Sequence, residues 1–216
     1  YQGQMAEDMM FDATGGVNTH KGLVFSLGLL CVAAGCLYAK TLRVNKECLD
    51  GQELSLASLL QCCSQLGAFA LTDLEKQNLT VSSSHGERAF QCYGVLGARG
   101  QAATGFRDAV EHALPFLDEE HPNDSGCLAL LHLLACVEDT NLLHRNGPDG
   151  LHMVQKKAVE LLKQAHPNRY INGLEEMNRE LVELWASPGG SADLLAVAFF
   201  LLFYTNHLRK QDSQTQ

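Results

Sequence analysis

A chain of 216 residues, 46% of them apolar, has the length and composition of one globular domain or one and a half, and folding buries roughly 70% of the surface of such a chain. Its formal charge of −9 excludes general binding to nucleic acid or to an anionic membrane, because both partners need a basic face. A polyphosphate stays open to it through a local cluster of cations or a divalent ion.

Residues 1–12 are polar and acidic, without the basic start and apolar core of a secretion signal. Next comes Ala13-Thr14-Gly15-Gly16-Val17-Asn18-Thr19-His20-Lys21-Gly22, directly before the apolar run Leu23 to Ala39. Gly15 and Gly16 supply backbone that takes positive φ and comes close to a ligand. Asn18 or Thr19 is the predicted cap of the following helix, whose start, beside Lys21 and His20, suits anionic oxygen. An ordinary loop and cap uses the same residue types, so both readings are open. Leu23 to Ala39 is interrupted by Ser26, Gly28 and Gly35, and Leu194 to Tyr204 is shorter than the ~20 residues that cross a bilayer. Both are predicted as central helices, buried all round by other helices, with no membrane partner.

Between these runs the helical period dominates. Leu56, Leu59, Leu60, Cys63, Leu66, Phe69 and Ala70 predict a helix from about Ser55 to Lys76. Phe106 to Leu117 and Leu128 to Val137 are shorter candidates, the second preceded by the cap-like Asn123-Asp124-Ser125. Leu151, Val154, Ala158, Leu161, Leu162 and Ala165 predict another helix, and Leu174, Met177, Leu181, Leu184 and Trp185 a further one. No alternating strands, fixed repeat or low-complexity linker is present. The expectation is a single all-α domain over residues 1–209, a helical bundle with buried central helices and a nucleotide site built from the loops between helices. Residues 210–216 read as a frayed tail. The eight cysteines include the adjacent Cys62-Cys63 and four in apolar runs, Cys31, Cys36, Cys127 and Cys136. They read as buried, reduced thiols of a cytoplasmic protein.

The loops gather the unusual residues. Gly97-Ala98-Arg99-Gly100 is not a P-loop, since no Gly-Lys-Ser/Thr follows, but Arg99 between glycines suits a triphosphate. Glu138-Asp139-Thr140-Asn141 is read as closing the apolar helix that contains His132 and Cys136. A helix C-terminus opposes carboxylates, so Asp139 is the leading catalytic carboxylate, with a solvated turn as the plain alternative. Asn141, His144 and Arg145 extend this cluster, and the Arg145 fork could pair with a carboxylate or grip phosphate. In Ser187-Pro188-Gly189-Gly190-Ser191-Ala192-Asp193, Gly189 and Gly190 lead into an apolar helix with Ser191 as the expected cap. Asp193 in its first turn repels a bare phosphate and suits a metal bridge, a ribose hydroxyl or a base N–H. His85-Gly86-Glu87-Arg88 reads as a helix start, and His132 with Cys136 as structural.

The decapeptide at 13–22, Gly97-Ala98-Arg99-Gly100, Glu138-Asp139-Thr140-Asn141-Leu142-Leu143-His144-Arg145 and Ser187-Pro188-Gly189-Gly190-Ser191-Ala192-Asp193-Leu194-Leu195 resemble, in this order, the motifs of the triphosphoribosyl-dephospho-CoA synthases. The resemblance implies an enzyme that transfers the triphosphoribosyl group of ATP to a ribose hydroxyl of 3'-dephospho-CoA and releases adenine. The product is the prosthetic-group precursor of citrate lyase or malonate decarboxylase. On this reading Asp139 is catalytic, and Gly15, Gly16, Asn18, Thr19, His20, Lys21, Arg99, Asn141, Arg145, Gly189, Gly190, Ser191 and Asp193 bind ATP or dephospho-CoA. A Mg²⁺ ion bridges triphosphate and carboxylates, through ligands the sequence leaves unidentified. Two departures stand out. The family's upstream Ser-Pro-x-Pro-Gly-Leu-Val-Asp and Gly-Ala-His-x-Asp-Met segments have no counterpart, which implies the C-terminal two-thirds or more of such an enzyme, while a homo-oligomer stays open. Gln101 and Asn146 stand where the family usually has Glu and Gly. A nucleotide-binding but inactive fragment and a helical interaction protein are the alternative classes.

Overall fold

The computed structural model describes residues 2–43, 54–76, 85–164 and 167–214. Among these residues the chain has no strand and is helical, as its periodicity predicts. The helices are α1 (Gln2–Thr14), α2 (Lys21–Arg43), α3 (Leu56–Lys76), α4 (His85–Tyr93), α5 (Gly97–Ala103), α6 (Arg107–His112), a 3-10 turn (Leu114–Phe116), α7 (Pro122–Cys136), α8 (Thr140–Leu162), α9 (Pro167–Glu183) and α10 (Gly189–Gln214). They form two compact units. The first holds Tyr1–Gln77, Ala98–Arg107 and Ala196–Gln216, and the second Asn78–Gly97 and Asp108–Leu195.

In the first unit α2 packs on α1 and α3. Leu30, Ala33 and Leu37 of α2 are buried, as are Leu59 and Cys63 of α3, at the three- and four-residue spacing of a helix face. The opposite side of α2, with Val32, Cys36 and Tyr38, is exposed, and so is Phe203 on α10. The expectation that these two helices are buried all round therefore does not hold: each buries one stripe and leaves another open. By length and composition alone, α2 over Lys21–Lys40 and α10 over Gly189–Gln211 could each cross a membrane. The cysteines follow the same correction. Of Cys31, Cys36, Cys127 and Cys136, none is buried, whereas Cys63 is, and its thiol is pushed up to about 12 by burial and by neighbouring Cys62.

In the second unit α7, α8 and α9 enclose the core, with Leu131, Leu134, Leu142, Leu143, Val154, Leu161 and Met177 among the buried residues. Lys157 of α8 and Glu180 of α9 form an ion pair beside it. The helix predicted from Leu151 is the second half of α8. Gly147 (φ 67°, ψ −174°) breaks the helix just before Pro148, which restarts it. The apolar period begins only after this break, so the polar first two turns read as loop. Asn123-Asp124-Ser125 lies inside the first turn of α7 instead of capping it, because Pro122 occupies the start and suits the first helical position. Gly97-Ala98-Arg99-Gly100, read as a loop, forms the start of helix α5. The tail is helical as far as Gln214, with the Ser213 hydroxyl donating to the Arg209 carbonyl at 2.9 Å. Tyr1, Ala165 and residues 215–216 lie outside the described residues.

Candidate active site

Asp139 sits between α7 and α8. The segment Val137–Asp139 is extended, and the two helices are bent by 57° across it. Asp139 is thus not the end of α7, as expected from the sequence, but the N-cap of α8, the helix end that favours a carboxylate. Its Oδ1 accepts the N–H groups of Asn141 (2.9 Å) and Leu142 (3.3 Å). Its Oδ2 accepts the N–H of Ser191 (2.7 Å) and the Ser191 hydroxyl (3.0 Å). One carboxylate therefore caps two helices, α8 and α10. It is 1% exposed and Ser191 is 0% exposed, so water does not replace these partners. Ser191, expected as the cap of α10, is instead its third residue and a donor to the cap.

Glycine is required where α10 approaches this carboxylate. A β-carbon on Gly190 would lie 3.1 Å from Asp139 Oδ1, and one on Gly189 would lie 2.4 Å from the Asn141 amide nitrogen. Gly190→Ala is expected to shift the carboxylate and lower stability by about 1–3 kcal/mol, the usual effect of overpacking. Urea unfolding at unchanged m-value checks this.

One turn further along α8, the strap from α9 to α10 is held again. Asn146 Nδ2 donates to the Leu184 carbonyl (3.0 Å), and Arg145 Nη1 donates to the Trp185 carbonyl (3.4 Å). Asn146, standing where the family usually has glycine, thus has a defined task. Arg145 holds backbone in this structure instead of a carboxylate. Gly97 also meets α8: its β-carbon, if present, would lie 3.1 Å from Thr140 Cγ2. Three of the sequence motifs therefore meet around the first turns of α8.

Asp193 is the fifth residue of α10, two residues after Ser191 and just past the first turn where the sequence places it. Burial and the nearby Asp139 carboxylate push its carboxyl up to about 7, from an ordinary value near 3.8. Such a group exchanges its proton near neutral pH. The sequence offers Asp193 for a metal bridge, a ribose hydroxyl or a base N–H and ranks it behind Asp139, because the distance between the two along the chain hides their interaction.

The first motif belongs to the other compact unit. Gly15 (φ 65°) and Gly16 (φ 88°) close α1, with the Gly16 N–H donating to the Phe11 carbonyl at 2.8 Å. Asn18 Oδ1 accepts the Lys21 N–H (3.1 Å), so the predicted cap is Asn18. Thr19 Oγ1 lies 2.7 Å from His20 Nδ1, and Lys21 pairs with Glu7 at 3.0 Å. Arg99 is half-buried in α5. The His132 ring stacks on Phe116 with centroids 3.7 Å apart, in keeping with a structural part. Among the described residues, no group of three or more His, Cys, Asp or Glu side chains is arranged to hold a metal ion. Both Asp139 oxygens accept hydrogen bonds, from Asn141, Leu142 and Ser191.

These features define a helical protein whose polar site is built where an inter-helix strap is bolted to a capped helix start. The chain matches the family described as CitG: ATP:dephospho-CoA triphosphoribosyl transferase over residues 2–213, and it belongs to that family. It is 40% identical over 208 residues to a probable 2-(5''-triphosphoribosyl)-3'-dephosphocoenzyme-A synthase of Salmonella gallinarum, covering 92% of this chain and 65% of that protein. A Streptococcus pyogenes protein of the same name is 37% identical over 209 residues, covering 93% of this chain and 70% of its own length. The chain thus spans 65% of the length of the Salmonella relative. No solved structure matches it.

Proposed function

We propose that the protein transfers the triphosphoribosyl group of ATP to a ribose hydroxyl of 3'-dephospho-CoA, releasing adenine, in the cytoplasm. The product would serve citrate lyase or malonate decarboxylase. The observation that carries this reading is the meeting of three family motifs around one capped helix start, beside a carboxyl that titrates near 7.

In the proposed step the hydroxyl oxygen bonds to the anomeric carbon of ATP while the bond from that carbon to adenine breaks. Asp193 as carboxylate takes the hydroxyl proton, and adenine leaves with the bonding pair and gains a proton from water. Asp139 fastens the strap through its bonds to Ser191. Asn141, Arg145, Gly189 and Gly190 bind substrate hydroxyl or base edges, while Ser191, buried with both its donors on Asp139, holds the turn in place. Within the first unit, Lys21, His20 and Arg99, with Gly15, Gly16, Asn18 and Thr19, are the residue types suited to anionic oxygen.

The test is adenine release by the full gene product, supplied with ATP and 3'-dephospho-CoA. Adenine equimolar with a product heavier by one triphosphoribosyl group supports the transferase. Nucleotide binding without adenine favours the alternative of a binding protein without turnover. Lys21→Ala is expected to weaken ATP binding by about 1.5–3 kcal/mol, the worth of a hydrogen bond to a charged group. Its melting temperature should move little, because the Lys21–Glu7 pair is partly exposed. Unchanged ATP affinity by calorimetry removes Lys21 from the site.

A further inference from the structure

α9 ends in an unusual way. The Trp185 N–H donates to the Val182 carbonyl (3.1 Å) and the Ala186 N–H to the Leu181 carbonyl (2.8 Å), the bond pair of a Schellman cap. The residue at the centre of such a cap takes left-handed backbone, which suits glycine and strains any residue with a β-carbon. Here that residue is Trp185, at φ 53°. Its side chain is 82% exposed, so packing offsets little of the strain. A large aromatic side chain in strained backbone, facing solvent, points to a task outside folding.

Its surroundings narrow that task. Arg145 and Asn146 of α8 fix the backbone of Trp185 and Leu184, and Asp139 of the same helix fixes Ser191. The strap is thereby held at both ends, with the indole near one and the Asp193 carboxyl just past the other. We propose that Trp185 is a stacking platform for the purine base of an adenine nucleotide bound along this strap. The proposal rests on the transferase reading, in which both substrates carry adenine. An indole fixed at its backbone offers a flat face at little entropic cost, and base stacking on an aromatic ring tolerates either orientation of the base.

These 216 residues hold a single tryptophan, and the difference in fluorescence between wild type and W185F isolates its signal in the full gene product. The full gene product is titrated with ATP, 3'-dephospho-CoA, tripolyphosphate and 4'-phosphopantetheine, and W185G and W185F are compared by calorimetry. Saturable quenching by an adenine-bearing ligand, but not by tripolyphosphate or phosphopantetheine, is expected. W185G should bind that ligand roughly 10- to 100-fold more weakly and W185F only a few-fold more weakly. W185G should melt no lower than wild type, since glycine suits the backbone, and this separates binding from a structural role. The nucleotide that quenches and is weakened identifies whose base is stacked. Calorimetric binding with unchanged fluorescence, or wild-type affinity in W185G, overturns the platform and leaves the transferase reading standing. Failure to bind either nucleotide, together with no adenine release, overturns both.

Discussion

Asp139→Asn is expected to destabilise the protein by about 3 kcal/mol, on the order of a 10 °C fall in melting temperature for a chain of this size. The buried carboxylate accepts hydrogen bonds from Asn141, Leu142 and Ser191, on both of its oxygens. An amide keeps one accepting oxygen and turns an NH₂ group toward the donors of the other. Buried donors left without an acceptor cost about 1–3 kcal/mol each. The start of either α8 or α10 also loses the negative charge that its N–H groups favour. Ser191→Ala removes one hydroxyl donor and leaves the other partners intact, so its expected cost is about 1 kcal/mol. A double-mutant cycle between the two positions should show a coupling of at least 0.5 kcal/mol, as residues of one buried network do. Asp139→Asn with wild-type stability but strongly reduced adenine release would return Asp139 to the chemistry.

The contrast between Asp139 and Ser191 shows where sequence reasoning reaches and where it stops. Periodic apolar positions are local, so α3 is legible from Leu56, Leu59, Cys63 and Leu66, and the second half of α8 from Leu151 onward. The polar groups of 138–145 and 187–193 are also legible as unusual. What they do depends on a pairing across 52 positions, and no local pattern encodes it. Asp139 was assigned to the helix before it when it caps the helix after it. That error inverted the electrostatic argument, from a carboxylate opposed by a helix end to one stabilised by two helix starts. The exposure of α2 was missed for a related reason. An apolar run tells that some face must be covered, and the tertiary fold decides which.

Asp193→Asn should act in the opposite sense on stability and in the larger sense on turnover. In the folded protein burial and the Asp139 carboxylate hold the Asp193 carboxyl at about 7, whereas in the unfolded chain it titrates near 3.8. Between these values the unfolded chain has lost the proton and the folded one keeps it. Unfolding then releases a proton, so rising pH favours the unfolded state through this window. The variant lacks this loss. It should match wild type near pH 4, gain on it as pH rises to about 7, and stay ahead by a constant margin above that. Adenine release should move the other way. A base must be ionised to take a proton, so wild-type kcat/KM should climb with pH on an acid limb centred near 7 and level off above it. Asp193→Asn should lose at least ~10²-fold in kcat at pH 8, with the acid limb gone and nucleotide affinity largely kept. Asp193→Glu should recover part of the rate with a displaced limb. A more stable variant that turns over poorly is the signature of a strained functional carboxyl. A variant that is less stable than wild type at pH 8, or that releases adenine at the normal rate, would mean that Asp193 merely supports the helix start and that the proton goes elsewhere.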